Sequence, residues 1–356
     1  MSTTTLPVDL VALTGELIDV RSESFHEQDL VELLAERLGR LDHLAVERVG
    51  DNLVARTDLG RPHRLLLVGH TDTVPANDNE RAVIDGDVVS GLGASDMKGG
   101  LAVFLALAEH VHDPMVDVGW IFYAREEVPA QHNGLGELIR ERPELVRGDA
   151  AILGEPTNGE LEAGCQGTLR IRATWRGERA HTARPWMGRN AIHRLGPVLE
   201  RLEAYEERRP VIDGCEFREA VQAVGVEGGV AGNVVPDAVS LTVNHRYAPD
   251  RTAEEATQHL LDVLGDPDEW ERTDLSVAAP PGLGHPLLGW LREEAGLPVR
   301  AKLGWTDVAR FAELGVPAVN LGPGHSHLAH TQDEWVDRSQ LERTYRALER
   351  LLSEGV

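Results

Sequence analysis

A chain of 356 residues, at about 150 residues per domain, is long enough for roughly two domains. Its 35 Lys and Arg against 59 Asp and Glu leave a formal charge of −24, which repels phosphate backbones and anionic lipid and excludes general nucleic-acid or membrane-surface partners. The longest apolar run, Leu101 to Ala108, falls far short of the roughly 18 residues that a membrane span needs. The N-terminal stretch MSTTTLPVDLVALTGELIDV lacks the basic start of a signal peptide, and Cys165 and Cys215 form no CxxC pair, so a soluble, reduced, cytoplasmic protein is expected.

Apolar spacing predicts helices over Asp9 to Val20 and Glu27 to Arg40. Short apolar runs at Arg64 to Val68, Val118 to Ala124 and Ala150 to Leu153 read as buried strands, the first two separated by a helical stretch from Lys98 to Val111. That alternation argues for a mostly parallel sheet covered by helices. Near Gly167 the pattern changes. Thr168 to Trp175 and Val239 to Arg246 alternate with period two, Asn190 to Tyr205 and Thr252 to Leu264 have helical spacing, and Asp274 to Ala279 is strand-like. The order β–α–β–α–β suits a small α+β domain at 167–281, inserted into a split α/β domain of 1–166 and 282–356. From His285 the helix-then-strand alternation of the first half returns, with an apolar run at Pro317 to Leu321.

Each buried-strand candidate runs directly into residues able to bind a metal. Arg64 to Val68 leads to His70 and Asp72, Val118 to Ala124 to Glu126 and Glu127, and Ala150 to Leu153 to Glu155. The carboxyl ends of parallel strands share one edge of a sheet, so acids and histidines far apart in sequence converge there. Taken singly, each motif also has a plainer explanation. Asp72 fits a turn, Asp96 in GLGASDMKGG fits a helix cap, and Glu126–Glu127 fits a solvated surface. The glycines of GLGASDMKGG lack the GxGxxG spacing of a dinucleotide loop. In the late loop GPGHSHLAHTQD, spacing alone does not choose among His325, His327 and His330.

Taken together, HTDTVP, GASDMKGG, the EE pair, GEPT and a late His before an acidic segment resemble the M20 family of dinuclear zinc amidohydrolases and peptidases. The resemblance implies a mostly parallel zinc-hydrolase domain with an inserted α+β lid that also dimerises the chain. It implies two Zn²⁺ per subunit, with Co²⁺ able to substitute: His70 and Glu155 on one ion, Glu127 and His330 on the other, Asp96 bridging. His and carboxylate donors suit zinc, and three carboxylates with one hydroxide offset the +4 of two ions. The implied catalytic set is Glu126 as general acid and base, Asp72 supporting His70, and His181 in ERAHTA as a lid histidine reaching across a homodimer. The implied reaction is hydrolysis of the succinyl amide of N-succinyl-LL-2,6-diaminopimelate by a two-zinc-bound hydroxide, giving succinate and LL-diaminopimelate in lysine biosynthesis. Substrate contacts fall to Arg246 and Arg310, whose planar forks suit carboxylates, and to Asn233 and Thr306. Two departures lie near these positions: Arg184 stands where many relatives carry an aromatic residue, and the loop at Thr306 reads GWTDVARF. They leave open another deacylase or peptidase activity, such as acetylornithine deacetylation, while a non-catalytic binder of the same fold would have no need of Glu126.

Overall fold

The computed structural model describes residues 6–355; the first five residues and Val356, included in the expected split domain, lie outside them. The chain divides into two compact units, one running to Ala163 and resuming over Gly282–Arg300 and from Arg310, the other comprising Gly164–Pro281 and Ala301–Ala309. The larger unit begins with α1 (Leu10–Asp19), α2 (Gln28–Leu38), β1 (Ala45–Val49), β2 (Asn52–Arg56), β3 (Arg64–His70), β4 (Val83–Asp85) and β5 (Val88–Ser90). It continues with α3 (Gly99–His110), β6 (Asp117–Tyr123), α4 (Gly134–Glu141), β7 (Ala150–Leu153) and β8 (Leu161–Ala163). The smaller unit holds β9 (Gly167–Arg176), α5 (Gly196–Glu203), β10 (Val211–Ile212), β11 (Cys215–Glu216), β12 (Ala220–Gly228), β13 (Ala238–Tyr247), α6 (Ala253–Leu264) and β14 (Glu269–Ser276). The chain ends with α7 (Pro286–Glu293), β15 (Val299–Ala301), α8 (Val308–Glu313), β16 (Ala318–Asn320), β17 (Trp335–Asp337) and α9 (Arg338–Glu354).

The main sheet runs β1-β2-β6-β3-β7-β16-β8-β15. Its central pairs, β6 with β3, β3 with β7 and β7 with β16, are parallel; β1–β2, β2–β6 and β16–β8 are antiparallel. The parallel centre is where the sequence shows unbroken apolar runs. Residues 65–70, 117–123 and 150–153 are buried throughout, because helices cover both faces of such a sheet. Helix α3 is apolar on every side and buried from Gly99 to Ala108. Gly100 lets it approach β7: a Cβ there would lie 2.4 Å from the Gly154 carbonyl oxygen. A second sheet, β17-β5-β4, is small. Among the described residues no helix is long and apolar enough to cross a membrane.

The smaller unit is an antiparallel sheet, β12-β13-β9-β14. Leu169, Ile171 and Ala173 of β9, Leu241 and Val243 of β13, Val198 of α5 and Leu260 of α6 form its core. A capping box starts α6, with Thr252 and Glu255 exchanging hydrogen bonds. Three details depart from expectation. Strand β12 lies outside the expected elements, because only Val221 among its residues is buried and the apolar signal is lost. The predicted helix at Asn190 to Tyr205 breaks into a short 3₁₀ turn and α5, since Pro197 in its first turn has no N–H to continue a helix. Residues 301–309 join the smaller unit, where Gln166 N donates to the Lys302 carbonyl (3.2 Å) and Trp305 Nε1 to the Val277 carbonyl (3.1 Å).

Candidate metal centre

Parallel register places the ends of β3 and β6 side by side, with His70 opposite Tyr123. His70, the last residue of β3, is buried. Its Nδ1 lies 3.0 Å from the Asp72 carbonyl oxygen, so Nδ1–H donates there and Nε2 faces Asp96 Oδ1, also at 3.0 Å. Beyond β6 the chain turns at Arg125, which adopts a left-handed conformation (φ 61°) and is fastened by the His132 carbonyl, Asp51 and Glu137 at 2.9, 3.2 and 2.8 Å. That turn presents Glu126 and Glu127. Both are tied to one carboxylate: Asp72 Oδ1 accepts from Glu126 N at 2.9 Å and Oδ2 from Glu127 N at 3.1 Å. Ser24 Oγ donates to the same Oδ2 at 2.7 Å.

His330 comes from the late histidine loop, with φ 64°, and brings Nε2 to 2.9 Å from Glu127 Oε1 and 3.8 Å from Asp96 Oδ2. Its neighbours take other partners. His325 Nε2 lies 2.9 Å from Gln340 Nε2, with His327 packed against the ring. Of the three histidines that spacing leaves open, His330 is thus the one placed beside Glu127 and Asp96. His70, Asp96 and Glu127 present ligand atoms within 4.8 Å of one another, and His330 adjoins them through Glu127. Glu155 is buried just past β7, the strand beside β3, and stands outside that three-residue group.

The donor set fits a divalent metal. Imidazole Nε2 atoms and carboxylate oxygens converge, and the far nitrogen of His70 is held by a backbone carbonyl, as metal-ligating histidines usually are. Burial opposes charging His70, yet Asp72 and Asp96 raise its pKa well above the ordinary value; positive charge at this point is what the acids favour. Burial likewise opposes ionisation of Asp72, but hydrogen bonds from His70, Glu126 N and Ser24 hold its pKa low. The sequence motifs miss Glu334, which accepts from Gly93 N (3.0 Å), Ser95 N (2.8 Å) and Asp96 N (2.7 Å) and shapes the loop carrying Asp96. Burial pushes its carboxyl up to about 7. Its only signal is a place in the acidic stretch after His330. Ser24 carries no sequence signal at all.

The remaining candidates, apart from Arg310, lie in the smaller unit. His181 is exposed; Ala183 N–H donates to its Nδ1 at 3.0 Å, so the neutral ring carries its proton on Nε2. Asn233 is exposed and its carbonyl accepts from Thr182 N at 3.1 Å, one residue beyond His181. Arg184 N–H donates to the His181 carbonyl. Arg246 lies on β13 opposite Thr168, half-buried, and burial lowers its pKa with Asp274 opposing. Thr306 is buried, with its carbonyl 3.8 Å from Cys165 Sγ. Burial raises that thiol to about 11, and no disulfide joins Cys165 and Cys215. In the larger unit, Arg310 on α8 lies against Gly136, whose added Cβ would be 3.3 Å from Arg310 Nη1.

Residues 66–354 match the model of peptidase family M20/M25/M40. The succinyl-diaminopimelate desuccinylase of Corynebacterium glutamicum is 40% identical, covering 97% of this chain and 96% of its own. A Mycobacterium tuberculosis protein provisionally named for the same activity is 49% identical, over 97% and 98%. Among solved structures, aminopeptidase PepT of Bacillus cereus superposes with a TM-score of 0.78 at 20% identity, over 96% of this chain and 97% of the other. The YXEP protein of Bacillus subtilis, described as a dinuclear metal-binding peptidase, gives 0.68 at 15%, over 96% of each. At those identities the structural likeness speaks for the fold.

Proposed function

The chain belongs to peptidase family M20/M25/M40, and on that premise we propose that it is a metal-dependent amidohydrolase that removes the succinyl group from N-succinyl-LL-2,6-diaminopimelate in lysine and diaminopimelate biosynthesis. The observation that carries the chemistry is the meeting of His70, Asp96, Glu127 and His330 beside Glu126 at the ends of parallel strands. The choice of substrate is supported by the 49% and 40% identities over nearly whole chains.

Two Zn²⁺ would be held by His70 with Glu155 and by Glu127 with His330. Asp96 is suited to be shared, since its Oδ1 faces His70 and its Oδ2 faces His330. When bound, such ions polarise the amide carbonyl and acidify water. Glu126 takes the proton from the attacking water and passes it to the departing amine. Asp72 keeps Glu126 in place through the peptide N–H. His181 donates from Nε2 to the developing oxyanion. Arg246 and Arg310 take substrate carboxylates by bidentate pairing, with Asn233 and Thr306 as neutral partners. We assign the working form to a cytoplasmic homodimer joined through the smaller unit. In support, among the described residues β12 is an edge strand paired only to β13, with Val224 and Val226 59% and 63% exposed.

The test is turnover of a panel of N-succinyl and N-acetyl diamino acids and dipeptides, with elemental analysis of the same preparation. The succinylated diaminopimelate should be the preferred substrate, a chelator should abolish turnover, and two metal ions should be found per chain. Preference for acetylornithine or a dipeptide would overturn the substrate; full activity with one ion or none would overturn the dinuclear centre.

A further inference from the structure

Among residues that take no part in this centre, the smaller unit gathers a second set of ligand-type side chains. Glu219, immediately before β12, His245 on β13 and His259 on α6 each bring a carboxylate or imidazole atom within 4.8 Å of the others. Glu219 and His245 are fully buried and His259 is partly so. The two imidazole rings lie 5.4 Å apart. Among the described residues neither nitrogen of His245 makes a hydrogen bond of good geometry, although the Ala256 backbone lies near enough to weigh on its pKa. Buried polar atoms are nearly always paired, so an imidazole left with both nitrogens unmet beside a second imidazole and a carboxylate needs an explanation. We propose that Glu219, His245 and His259 form a further divalent-cation site of the zinc class, separate from the catalytic centre.

Two imidazoles and one carboxylate are a zinc-type donor set, whereas Mg²⁺ and Ca²⁺ favour all-oxygen shells. The protonation states suit ligation. Burial pushes His245 down to about 4 and also lowers His259, so both rings keep free lone pairs near neutrality. Burial opposes ionisation of Glu219, but Arg208 and Ala248 N hold its pKa low. The carboxylate is not evenly used. Oε1 accepts from Arg208 Nη2, Arg251 Nε and Ala248 N at 2.9, 3.0 and 3.1 Å, whereas Oε2 takes Arg208 Nε at 3.1 Å. A lone pair on Oε2 therefore remains for an ion.

The two guanidiniums also set a limit. They repel an entering cation, and Asp250, 2.8 Å from Arg208 Nη1, offsets one of them. The site is therefore weaker than a dedicated centre and fills after the catalytic ions. Tyr205 fixes the His259 ring, its hydroxyl 3.1 Å from Nε2. Once loaded, the ion would tie α6 to β13 and to the start of β12, one residue from Arg246.

The experiment is equilibrium dialysis of the holoenzyme against excess Zn²⁺, with ions counted by elemental analysis and Tm recorded across the titration. Wild type should bind one ion more than His259→Gln, a substitution that keeps helix propensity on a partly exposed position. Its Tm should rise with Zn²⁺ beyond the concentration that saturates activity, a rise that His259→Gln loses while turnover persists. His245→Gln should repeat the loss. Glu127→Gln should lower the count at the catalytic centre and keep the extra ion, so the two assignments fail separately. Equal ion counts in wild type and both histidine variants, with equal Tm responses, would overturn the site.

Discussion

Asp72 touches three of the residues that the chemistry needs. Its carbonyl orients His70, and its two carboxylate oxygens hold the peptide N–H groups of Glu126 and Glu127. The two glutamates share this anchor, and the Glu127 side chain reaches His330, at 2.9 Å. Glu126→Gln should accordingly keep the metal ions and lose turnover by roughly 10²–10⁴, the usual worth of a positioned acid–base group. Glu127→Gln should shed metal. Elemental analysis and kinetics on both variants check the division, and exchanged phenotypes would reverse it. At this scale the sequence is a partial guide. It marks His70, Asp72, Asp96 and the glutamate pair as strand-end or turn residues, but it cannot rank His325, His327 and His330, because that choice depends on Gln340 pairing with His325 from another element. Glu334 is hidden for a related reason: its role is to accept three backbone N–H groups some 240 positions away towards the N-terminus.

Elements are legible where burial is two-sided or cleanly alternating, as in β3, β6, β7, β9 and β13. They are obscure at sheet edges. Strands β12 and β14 bound the smaller sheet, and most of their residues are exposed on both faces, leaving no period to detect. Strand β14 accordingly begins at Glu269 and ends at Ser276, ahead of the Asp274 to Ala279 that apolar content suggests. The start of β6 illustrates a polar element boundary with a measurable cost. Asp117 is buried and accepts from Leu59 N (2.7 Å), Thr57 Oγ1 (3.0 Å) and Arg61 N (3.0 Å), which fixes the loop after β2. Burial works against its ionisation, but those bonds hold its pKa below 3.8. Asp117→Asn should cost about 1–3 kcal/mol at neutral pH, read from urea midpoints. Because the folded pKa is depressed, this contribution is complete above 3.8 and fades as pH falls through the folded value. The gap between wild type and variant should close in acid; a gap unchanged below pH 3 would exclude the ionic account.

The whole molecule raises the question of how many chains make one working site. If Glu126 comes from one protomer and His181 from its partner, as proposed, inactive Glu126→Gln and inactive His181→Ala should complement each other after subunit exchange. Random mixing makes about half of the dimers mixed, each with one intact site of two, so activity should return to roughly a quarter of wild type. No recovery, with exchange confirmed by mass spectrometry, would place both groups on one chain. The order of strands in the main sheet has a different consequence, in the time taken to make the protein. Strand β16 lies between β7 and β8 although it is synthesised long after both. At about 5–20 residues per second, the stretch from Ala163 to Ala318 occupies the ribosome for roughly 8–30 s. Throughout that interval the nascent sheet carries a vacant slot, with the apolar strand β7 paired to β3 on one side and open on the other. That open side is a template for pairing with a neighbouring nascent chain on the same message. His330 emerges later still, so the growing polypeptide spends this exposed period with its ligand set incomplete.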